Sequence, residues 1–284
     1  MPEPVLADAR PDSTLQLDIQ GYPLSYIQRG SGRPLILIHG SLCDYRYWRW
    51  QVPALSENYR VLAPSLRGYW PSNAPSLADD FSVQRHASDL AALLARQNAP
   101  EGVHVLGHSR GAHVALELAC QAPELVRSLI LADPGFQTSA GAGSGSHAFQ
   151  REVASRLAQG DIDGALAEFI DTVNGAGTWR QMVGWFKTMV RDNAQTLPWQ
   201  AAEALAPDAG FDPQRARNIS CATLLLGGQD SPPRYGQIMD ILQMHLQRAE
   251  RDVIPRAAHG MNLANAKAFN ARVIAFVSGV DDHG

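Results

Sequence analysis

The sequence predicts a mostly parallel β-sheet with helices on both faces and an inserted block of helices. Apolar runs of strand length alternate with segments of helical spacing, and runs such as Pro34–Ile38 and Val103–Leu106 are almost solidly apolar, as in buried parallel strands. One long segment, Phe149–Leu205, has helical character without any strand signal. Polar or glycine-containing turns follow several of the strands, and in such sheets ligands bind beyond the carboxyl ends of the strands.

The composition is that of an ordinary globular protein. The chain has 284 residues, of which 45% are hydrophobic and 18% are charged, and its formal net charge is −4. This length accommodates one large domain or a domain with an insertion. The charge disfavours nucleic acid and anionic membrane surfaces as partners, so we expect a small-molecule substrate. The oligomeric state is left open by the sequence.

The cysteines and the N-terminal segment predict a cytoplasmic protein. The three cysteines have no metal-ligand spacing and are expected to be reduced thiols. The segment Met1–Thr14 lacks the pattern of a signal peptide and is expected to be a short flexible lead-in. No apolar stretch has the length of a membrane span.

The first half of the chain supplies a hairpin and two buried strands. Residues 15–27 predict an antiparallel hairpin at a sheet edge, because apolar residues alternate on both sides of a Gly-Tyr-Pro turn. Pro34–Ile38 and Tyr59–Ala63 predict parallel strands on either side of a short helix at Trp48–Leu55. Val83–Gln97 has apolar residues on one helical face.

The second half repeats the alternation around the helical block. Thr138–Ser146 consists almost wholly of Gly, Ala and Ser and is expected to be flexible. We therefore predict a core formed by residues 1–135 and 216–284 and a helical cap at 136–215. The remaining predicted elements are strands at Val126–Leu131, Thr223–Leu226 and Asp252–Ile254 and helices at Ala112–Ala122, Ile238–Leu246 and Leu263–Val277.

A reactive serine is predicted where the strand Val103–Leu106 meets a helix. The turn between them is Gly107-His108-Ser109-Arg110-Gly111, which fits Gly-x-Ser-x-Gly in the required order of strand, sharp turn and helix. Such a turn holds the serine in a strained conformation, and glycines two residues away on either side relieve the crowding. The following helix points its positive end at the site. Ser109 is therefore the predicted nucleophile.

His259 is the predicted general base. A serine hydroxyl needs a base that takes its proton, and the base needs an orienting acid. His259 follows a short strand, lies in a glycine-containing loop and comes after Ser109 and the candidate acids, in the chain order Ser, acid, His. His39 and His108 belong to motif turns and are interpreted as holding loops in place. The other histidines lie in predicted helices, strands or flexible regions: His86, His104, His113, His147, His245 and His283.

Two aspartates compete for the role of the acid. Asp230 lies just beyond a strong strand in a Gly-Gly-Gln-Asp-Ser-Pro turn, which favours a carboxylate lifted off the sheet. Asp133 lies at the end of the strand after the nucleophile, where Asp133-Pro134 is also suited to start a turn. We take Asp230 as the predicted acid and Asp133 as the alternative.

The oxyanion formed during acyl transfer needs two backbone N–H donors. Arg110, the residue after the nucleophile, is predicted to supply one. The second is predicted to come from Ser41, in the loop where His39-Gly40 follows a strand, with Leu42 as the alternative.

Two questions about the pocket stay open. The Arg110 side chain has the chemistry either to hold a substrate carboxylate or to pair with a buried acid. The insertion's tryptophans (Trp179, Trp185 and Trp199) are expected to form its own core rather than a binding wall. No metal cluster, phosphate loop or dinucleotide fingerprint occurs in the sequence, so no metal or cofactor is predicted.

With these motifs together, the chain from Leu15 to Val277 resembles the α/β-hydrolase family. The similarity is carried by His39-Gly40-Ser41, Gly107–Gly111, Gly228-Gln229-Asp230 and Ala258-His259-Gly260. The stretches Trp48–Leu55 and Arg67–Ser72 are similar to the epoxide-hydrolase and dehalogenase-like branch, in which the elbow is typically Gly-His-Asp-Arg-Gly with an aspartate nucleophile. The resemblance also implies a helical cap over the pocket.

The serine at position 109 sets the expected chemistry. Epoxide opening and dehalogenation in that branch need a carboxylate that forms an alkyl ester, whereas a serine forms an acyl-enzyme. We expect a serine hydrolase that cleaves a small or medium carboxylic ester. A lactonase or thioesterase, a carbon–carbon bond hydrolase acting on a diketone or dienoate, and a non-catalytic ligand-binding protein of the same fold are the alternatives.

Overall fold

The computed structural model describes residues 14–72, 80–137, 144–206 and 209–283. Its strands are β1 (Leu15–Ile19), β2 (Tyr22–Arg29), β3 (Pro34–Ile38), β4 (Arg60–Pro64), β5 (Val103–His108), β6 (Val126–Ala132), β7 (Ala222–Gly228) and β8 (Ala249–Ile254). Its helices are α1 (Gln51–Leu55), α2 (Val83–Leu94), α3 (Arg110–Gln121), α4 (Ser144–Ala158), α5 (Ile162–Asn174), α6 (Thr178–Gln181), α7 (Gly184–Asp192), α8 (Thr196–Ala204), α9 (Pro233–Gln243), α10 (Met261–Ala264) and α11 (Ala266–His283).

The strands of the described residues form one sheet in the order β1-β2-β4-β3-β5-β6-β7-β8. The pairs β1–β2 and β2–β4 are antiparallel, and every pair from β4–β3 to β7–β8 is parallel. The central strands β3 and β5 are buried along their whole length, since helices cover both faces. The mostly parallel sheet predicted from the sequence is confirmed.

Two apolar layers flank this sheet. On one face α2, α3 and α9 contribute Leu90, Val114 and Leu242 to a core shared with the strands. On the other face α1 and α11 contribute Leu55 and Phe269. Burying both faces removes the strands from water and fixes the positions of their carboxyl ends, where the candidate site lies.

The described residues between β6 and β7 include the helices α4 to α8 and no strand. We call residues 144–206 the helical insertion. It has a core of its own, built from side chains such as Leu166, Phe169 and Leu197, and Leu42 of the β3–α1 loop joins this core. The predicted boundaries of the cap, 136–215, stay a prediction.

Polar contacts attach the insertion to the rest of the chain. The guanidinium of Arg46 bonds Asp44 at 2.6 Å and Asp192 of α7 at 2.9 Å. The amide of Asn193 donates to the buried Asp44 at 2.8 Å and accepts from the backbone N–H of Trp70 at 2.8 Å. These partly buried charges fix where α7 and α8 lie relative to the sheet.

Two segments that the sequence predicts to be flexible lie mainly outside the described residues. These are 1–13 of the N-terminal lead-in and 138–143 of the Gly/Ala/Ser-rich stretch; Ser144–Ser146 belong to α4. None of the described helices combines the length and the apolar character needed to cross a membrane.

Candidate active site

Ser109 lies at a sharp turn between β5 and α3 and has the strained backbone that the motif predicts. Its φ and ψ are 56° and −121°, a combination that side-chain-bearing residues rarely adopt. Both flanking glycines are required sterically. A Cβ at Gly107 would lie 2.2 Å from the carbonyl oxygen of Gly111, and a Cβ at Gly111 would lie 2.2 Å from that of Ile38. The close packing of α3 on β3 and β5 therefore depends on these two positions.

His259 is paired with Asp133. Its Nδ1 lies 3.1 Å from Oδ2 of Asp133, and both side chains are buried. Asp133 directly follows β6 with a φ of 41°, and its Oδ2 also accepts a 2.5 Å hydrogen bond from the hydroxyl of Ser231. A carboxylate in this position fixes the imidazole as the Nδ1–H tautomer, which leaves the lone pair of Nε2 available to accept a proton.

The choice of Asp230 as the acid is corrected by this geometry. Asp230 is exposed, and its backbone N–H donates to the carbonyl of Ala257 at 2.9 Å. The turn that contains it closes with a bond from the N–H of Ser231 to the carbonyl of Gly228. This turn directs Asp230 to solvent and the next residue, Ser231, towards Asp133. The alternative named from the sequence, Asp133, is the residue at the histidine.

Burial shifts the pKa values of both members of the pair towards their neutral forms. Loss of hydration raises the pKa of Asp133 to about 6, although the hydroxyl of Ser231 opposes this rise. Loss of hydration, reinforced by the positive charge of Arg234, lowers the pKa of His259 to about 3. The imidazole is therefore neutral near pH 7, which is the state that a general base needs.

His39 and His108 hold loops in place, as predicted. His39 donates from Nδ1 to the carbonyl of Gly40 at 2.9 Å and accepts the N–H of Leu66 at Nε2 at 3.0 Å. His108 donates from Nε2 to the backbone carbonyl of His259 at 2.7 Å. Burial lowers the pKa of His39 to about 4 and that of His108 to about 3, so both rings are neutral. The two histidines therefore fix the loop after β3 and the loop that carries His259.

The two residues predicted to supply the oxyanion donors, Ser41 and Arg110, line the same cavity as Ser109. Arg110 is the first residue of α3, so its N–H has no acceptor within the helix. Ser41 lines the cavity at Ser109, whereas Leu42 is fully buried in the core of the insertion. The donor in either case is a backbone N–H, so the choice of Ser41 over Leu42 stays a prediction.

A cavity of about 1650 Å³ lies between the strand ends and the insertion. Ser109 and His259 both line it, and the hydrogen bonds of the described residues do not include one between Ser109 Oγ and His259 Nε2. Catalytic hydrogen bonds are often long without substrate and shorten when it binds. Among the described residues, no cluster of three or more His, Cys, Asp or Glu side chains is arranged to hold a metal ion.

The tryptophans of the insertion divide between two roles. Trp179 packs against the insertion's core, as predicted. Trp185 and Trp199 line the cavity, so the prediction is wrong for these two. They lie on α7 and α8, on the side that meets the sheet, and helical spacing alone does not show which side that is.

The side chain of Arg110 pairs with Glu203 of α8. This ion pair joins residues 93 positions apart, and the second carboxylate oxygen of Glu203 accepts the N–H of Val83 at 2.6 Å. The guanidinium also lies 4.9 Å from the ring centroid of Phe81. Of the two roles left open for Arg110, pairing with a largely buried acid is the one in the structure. Nothing in the sequence around Glu203 signals this role.

Tyr235 is a second residue at the site that the sequence analysis missed. Its ring stacks on the imidazole of His259, with centroids 4.1 Å apart and an angle of 10° between the planes. It lies near the start of α9, five residues after Asp230. An aromatic residue near a candidate acid is a weak signal, because α9 also needs apolar residues for its own packing.

Comparison with known proteins agrees with this fold. A sequence model of the alpha/beta hydrolase family matches residues 35–272. The soluble epoxide hydrolase of Corynebacterium sp. (strain C12) is 36% identical over 118 residues, which are 42% of this chain and only 40% of that relative. A structure of an epoxide hydrolase without ligand superposes with a TM-score of 0.78 at 22% identity, covering 94% of this chain and 99% of the other.

A thermophilic esterase from Thermogutta terrifontis has a TM-score of 0.75 at 23% identity, covering 94% of this chain and 98% of the other. At such identities the two structures show likeness of fold alone. The family model, in contrast, extends from β3 into α11 and spans most of the sequence. The chain belongs to the alpha/beta hydrolase family, and epoxide hydrolases are among its relatives.

Proposed function

We propose that this protein is a serine hydrolase that cleaves a small or medium carboxylic ester through an acyl-enzyme. The observation that carries the proposal is the bond between His259 and Asp133 at the wall of the cavity that Ser109 lines. A strained serine, an oriented neutral imidazole and a buried carboxylate are the components of acyl transfer by a serine nucleophile.

The reaction follows from these positions. Ser109 Oγ attacks the ester carbonyl carbon while Nε2 of His259 takes the hydroxyl proton. The negative oxygen of the tetrahedral intermediate is held by the N–H groups of Ser41 and Arg110. The imidazolium then gives its proton to the leaving alcohol, and Asp133 stabilises the positive charge in the meantime. A water molecule, deprotonated by the same imidazole, hydrolyses the acyl-enzyme and restores Ser109.

The serine also separates this chain from the chemistry that the resemblance to the epoxide-hydrolase branch implies. In the epoxide-hydrolase branch, which the stretches Trp48–Leu55 and Arg67–Ser72 resemble, an aspartate attacks carbon and forms an alkyl ester, which water then hydrolyses at the carbonyl. An attack by Ser109 on an epoxide would give an ether, which has no carbonyl for water to attack. Substrates with an acyl carbon are therefore the ones that this site turns over.

Hydrolysis of p-nitrophenyl esters from acetate to octanoate, followed by release of nitrophenolate, tests the proposal. The Ser109→Ala variant should lose about three or more decades of kcat, since the nucleophile is absent. Ser88→Ala, which changes an exposed serine of α2, is the matched control and should keep kcat within about twofold of wild type. Near-wild-type turnover by Ser109→Ala would refute the mechanism.

Covalent labelling separates the catalytic proposal from a ligand-binding role. A fluorophosphonate should modify wild-type protein at Ser109, as identified by peptide mass spectrometry, and should leave Ser109→Ala unmodified. Failure to label Ser109 in folded wild-type protein would favour a non-catalytic member of the fold. Turnover of a chromogenic dienoate alongside the ester series distinguishes ester cleavage from carbon–carbon bond cleavage, which uses the same triad.

A further inference from the structure

The bond to Asp133 does not fix the imidazole of His259 by itself. A single hydrogen bond restrains only Nδ1, so rotation about the Cα–Cβ and Cβ–Cγ bonds of His259 is still able to tilt the ring. Such a rotation carries Nε2 away from the position in which it takes the serine proton. Packing against the faces of the ring must supply the remaining restraint.

Two aromatic rings supply that packing. Tyr235 lies almost parallel to the imidazole, at 4.1 Å and 10°. The ring of His108 lies 4.6 Å away and is tilted by 40°. Tyr235 is 3% exposed and is therefore itself held by its surroundings. A flat ring in stacking contact opposes rotation of the imidazole out of its plane.

The hydroxyl of Tyr235 connects this ring to the helical insertion. It donates to the backbone carbonyl of Val173 at 3.1 Å and accepts a 2.8 Å bond from Arg234. Val173 is in the last turn of α5, where the backbone carbonyls have no N–H donor within the helix. Tyr235 therefore satisfies the end of an insertion helix while it contacts the base. Burial raises the pKa of its hydroxyl to about 12, so it is protonated and able to donate near pH 7.

We propose that Tyr235 is a positioning residue: its ring holds the His259 imidazole in the orientation that accepts the Ser109 proton, and its hydroxyl ties the helical insertion to the same place. The inference rests on the proposed serine-hydrolase function. It assigns two separable roles to the Tyr235 side chain. The ring orients the His259 imidazole, and the hydroxyl fixes the helical insertion relative to that imidazole. Loss of the ring lowers kcat, whereas loss of the hydroxyl alone raises KM, because the insertion forms the wall of the cavity.

Three variants separate these parts by steady-state kinetics on a p-nitrophenyl ester. Tyr235→Leu removes the ring and should lower kcat about 10- to 100-fold, the range expected when a catalytic group is displaced by about 1 Å. Tyr235→Phe keeps the ring and should restore kcat to within about threefold of wild type with a raised KM. Asp163→Asn is the control: it removes an exposed ion pair within the insertion, that of α5 with Arg191, and does not line the cavity, so kcat should stay within about twofold.

The rate of fluorophosphonate labelling of Ser109 gives an independent readout. The rate should fall in Tyr235→Leu in proportion to kcat and should be unchanged in Tyr235→Phe. If the leucine variant does not fold, as judged by thermal unfolding, Tyr235→Met fills most of the same volume without a ring and takes its place.

The outcomes distinguish this inference from the function on which it rests. Wild-type protein that is not labelled at Ser109 refutes the proposed function. Labelled wild-type protein together with leucine and methionine variants that keep kcat within twofold refutes the positioning role. A phenylalanine variant that loses as much kcat as the leucine variant refutes the assignment of orientation to the ring.

Discussion

Replacement of Asp133 by asparagine removes one negative charge from a site without solvent contact. The carboxylate is 0% exposed, and its Oδ2 lies 3.1 Å from Nδ1 of His259. Asparagine has nearly the same shape, so the change is mainly electrostatic. The amide N–H of asparagine is also able to donate to Nδ1 of the histidine, which moves the ring proton to Nε2. A protonated Nε2 is unable to accept the proton of Ser109.

The distance sets the size of the effect. An imidazolium 3.1 Å from a carboxylate gains about 5 kcal/mol at an effective dielectric constant of about 20. This stabilisation exists only after proton transfer, so it acts on the transition state and not on the bound substrate. A loss of about 10³- to 10⁴-fold in kcat is expected, with little change in KM.

Asp230→Asn provides the matched control. Asp230 is exposed and is one strand away from Asp133 at the same edge of the sheet. The asparagine substitution there should leave kcat within about twofold of wild type, as for most exposed positions. Both variants are assayed on one p-nitrophenyl ester at saturating concentration, with circular dichroism to confirm folding. A larger loss in Asp230→Asn than in Asp133→Asn would refute the assignment of the acid.

Three further predictions concern stability, charge and packing. Burial raises the pKa of Asp133 in the folded protein to about 6, so its contribution to stability is present below the pKa of the unfolded chain and is lost as pH rises through about 6. The wild-type free energy of unfolding, measured by urea titration relative to Asp133→Asn, should therefore fall by up to about 3 kcal/mol between pH 4 and pH 8. A rise would contradict the direction of this pKa shift. Glu203→Gln leaves the charge of Arg110 uncompensated in the cavity wall. The ratio of kcat/KM for p-nitrophenyl hydrogen glutarate, which carries a free carboxylate, to kcat/KM for its methyl ester should therefore rise at least about fivefold. An unchanged ratio would show that the ion pair does not govern the selection of charged substrates. Gly111→Ala places a Cβ 2.2 Å from a backbone oxygen and should destabilise the protein by about 3 kcal/mol or more. Gly279→Ala is the control: its Cβ would have no atom within 4 Å, so the change should be neutral or stabilise α11 by up to about 1 kcal/mol. Equal melting temperatures for the two variants would contradict the steric reasoning.

The sheet and its helices were predictable because each element depends on local sequence. The solid apolar runs of β3 and β5 and the alternation in the β1–β2 hairpin are periodic signals that a few neighbouring residues produce. The ends of elements were less well predicted. The helix expected from Ala112 starts at Arg110, since the turn at Ser109 feeds directly into α3.

The proposed nucleophile and the proposed base were also predicted from short motifs. The glycines at 107 and 111 are needed because α3 packs on β3 and β5 with no room for a Cβ, and this requirement is visible as Gly-x-Ser-x-Gly. His259 was found from its loop and its position in the chain. Glu203 and Tyr235 were missed, because a helix with apolar and polar residues gives no signal of which distant group each side chain meets.

The sequence by itself determined a mostly parallel α/β sheet with a strained serine after its central strand β5, because strand periodicity and the glycines of a sharp turn depend on adjacent residues. The tertiary structure decided which carboxylate serves the histidine. Asp133 and Asp230 end neighbouring strands, and the choice depends on a turn in which Ser231 bonds Asp133 while Asp230 faces solvent. The tertiary structure also decided the partner of Arg110 and the ring that packs on His259. Both contacts join residues far apart in the chain, and only the packing of the insertion and α9 around the strand ends brings them together.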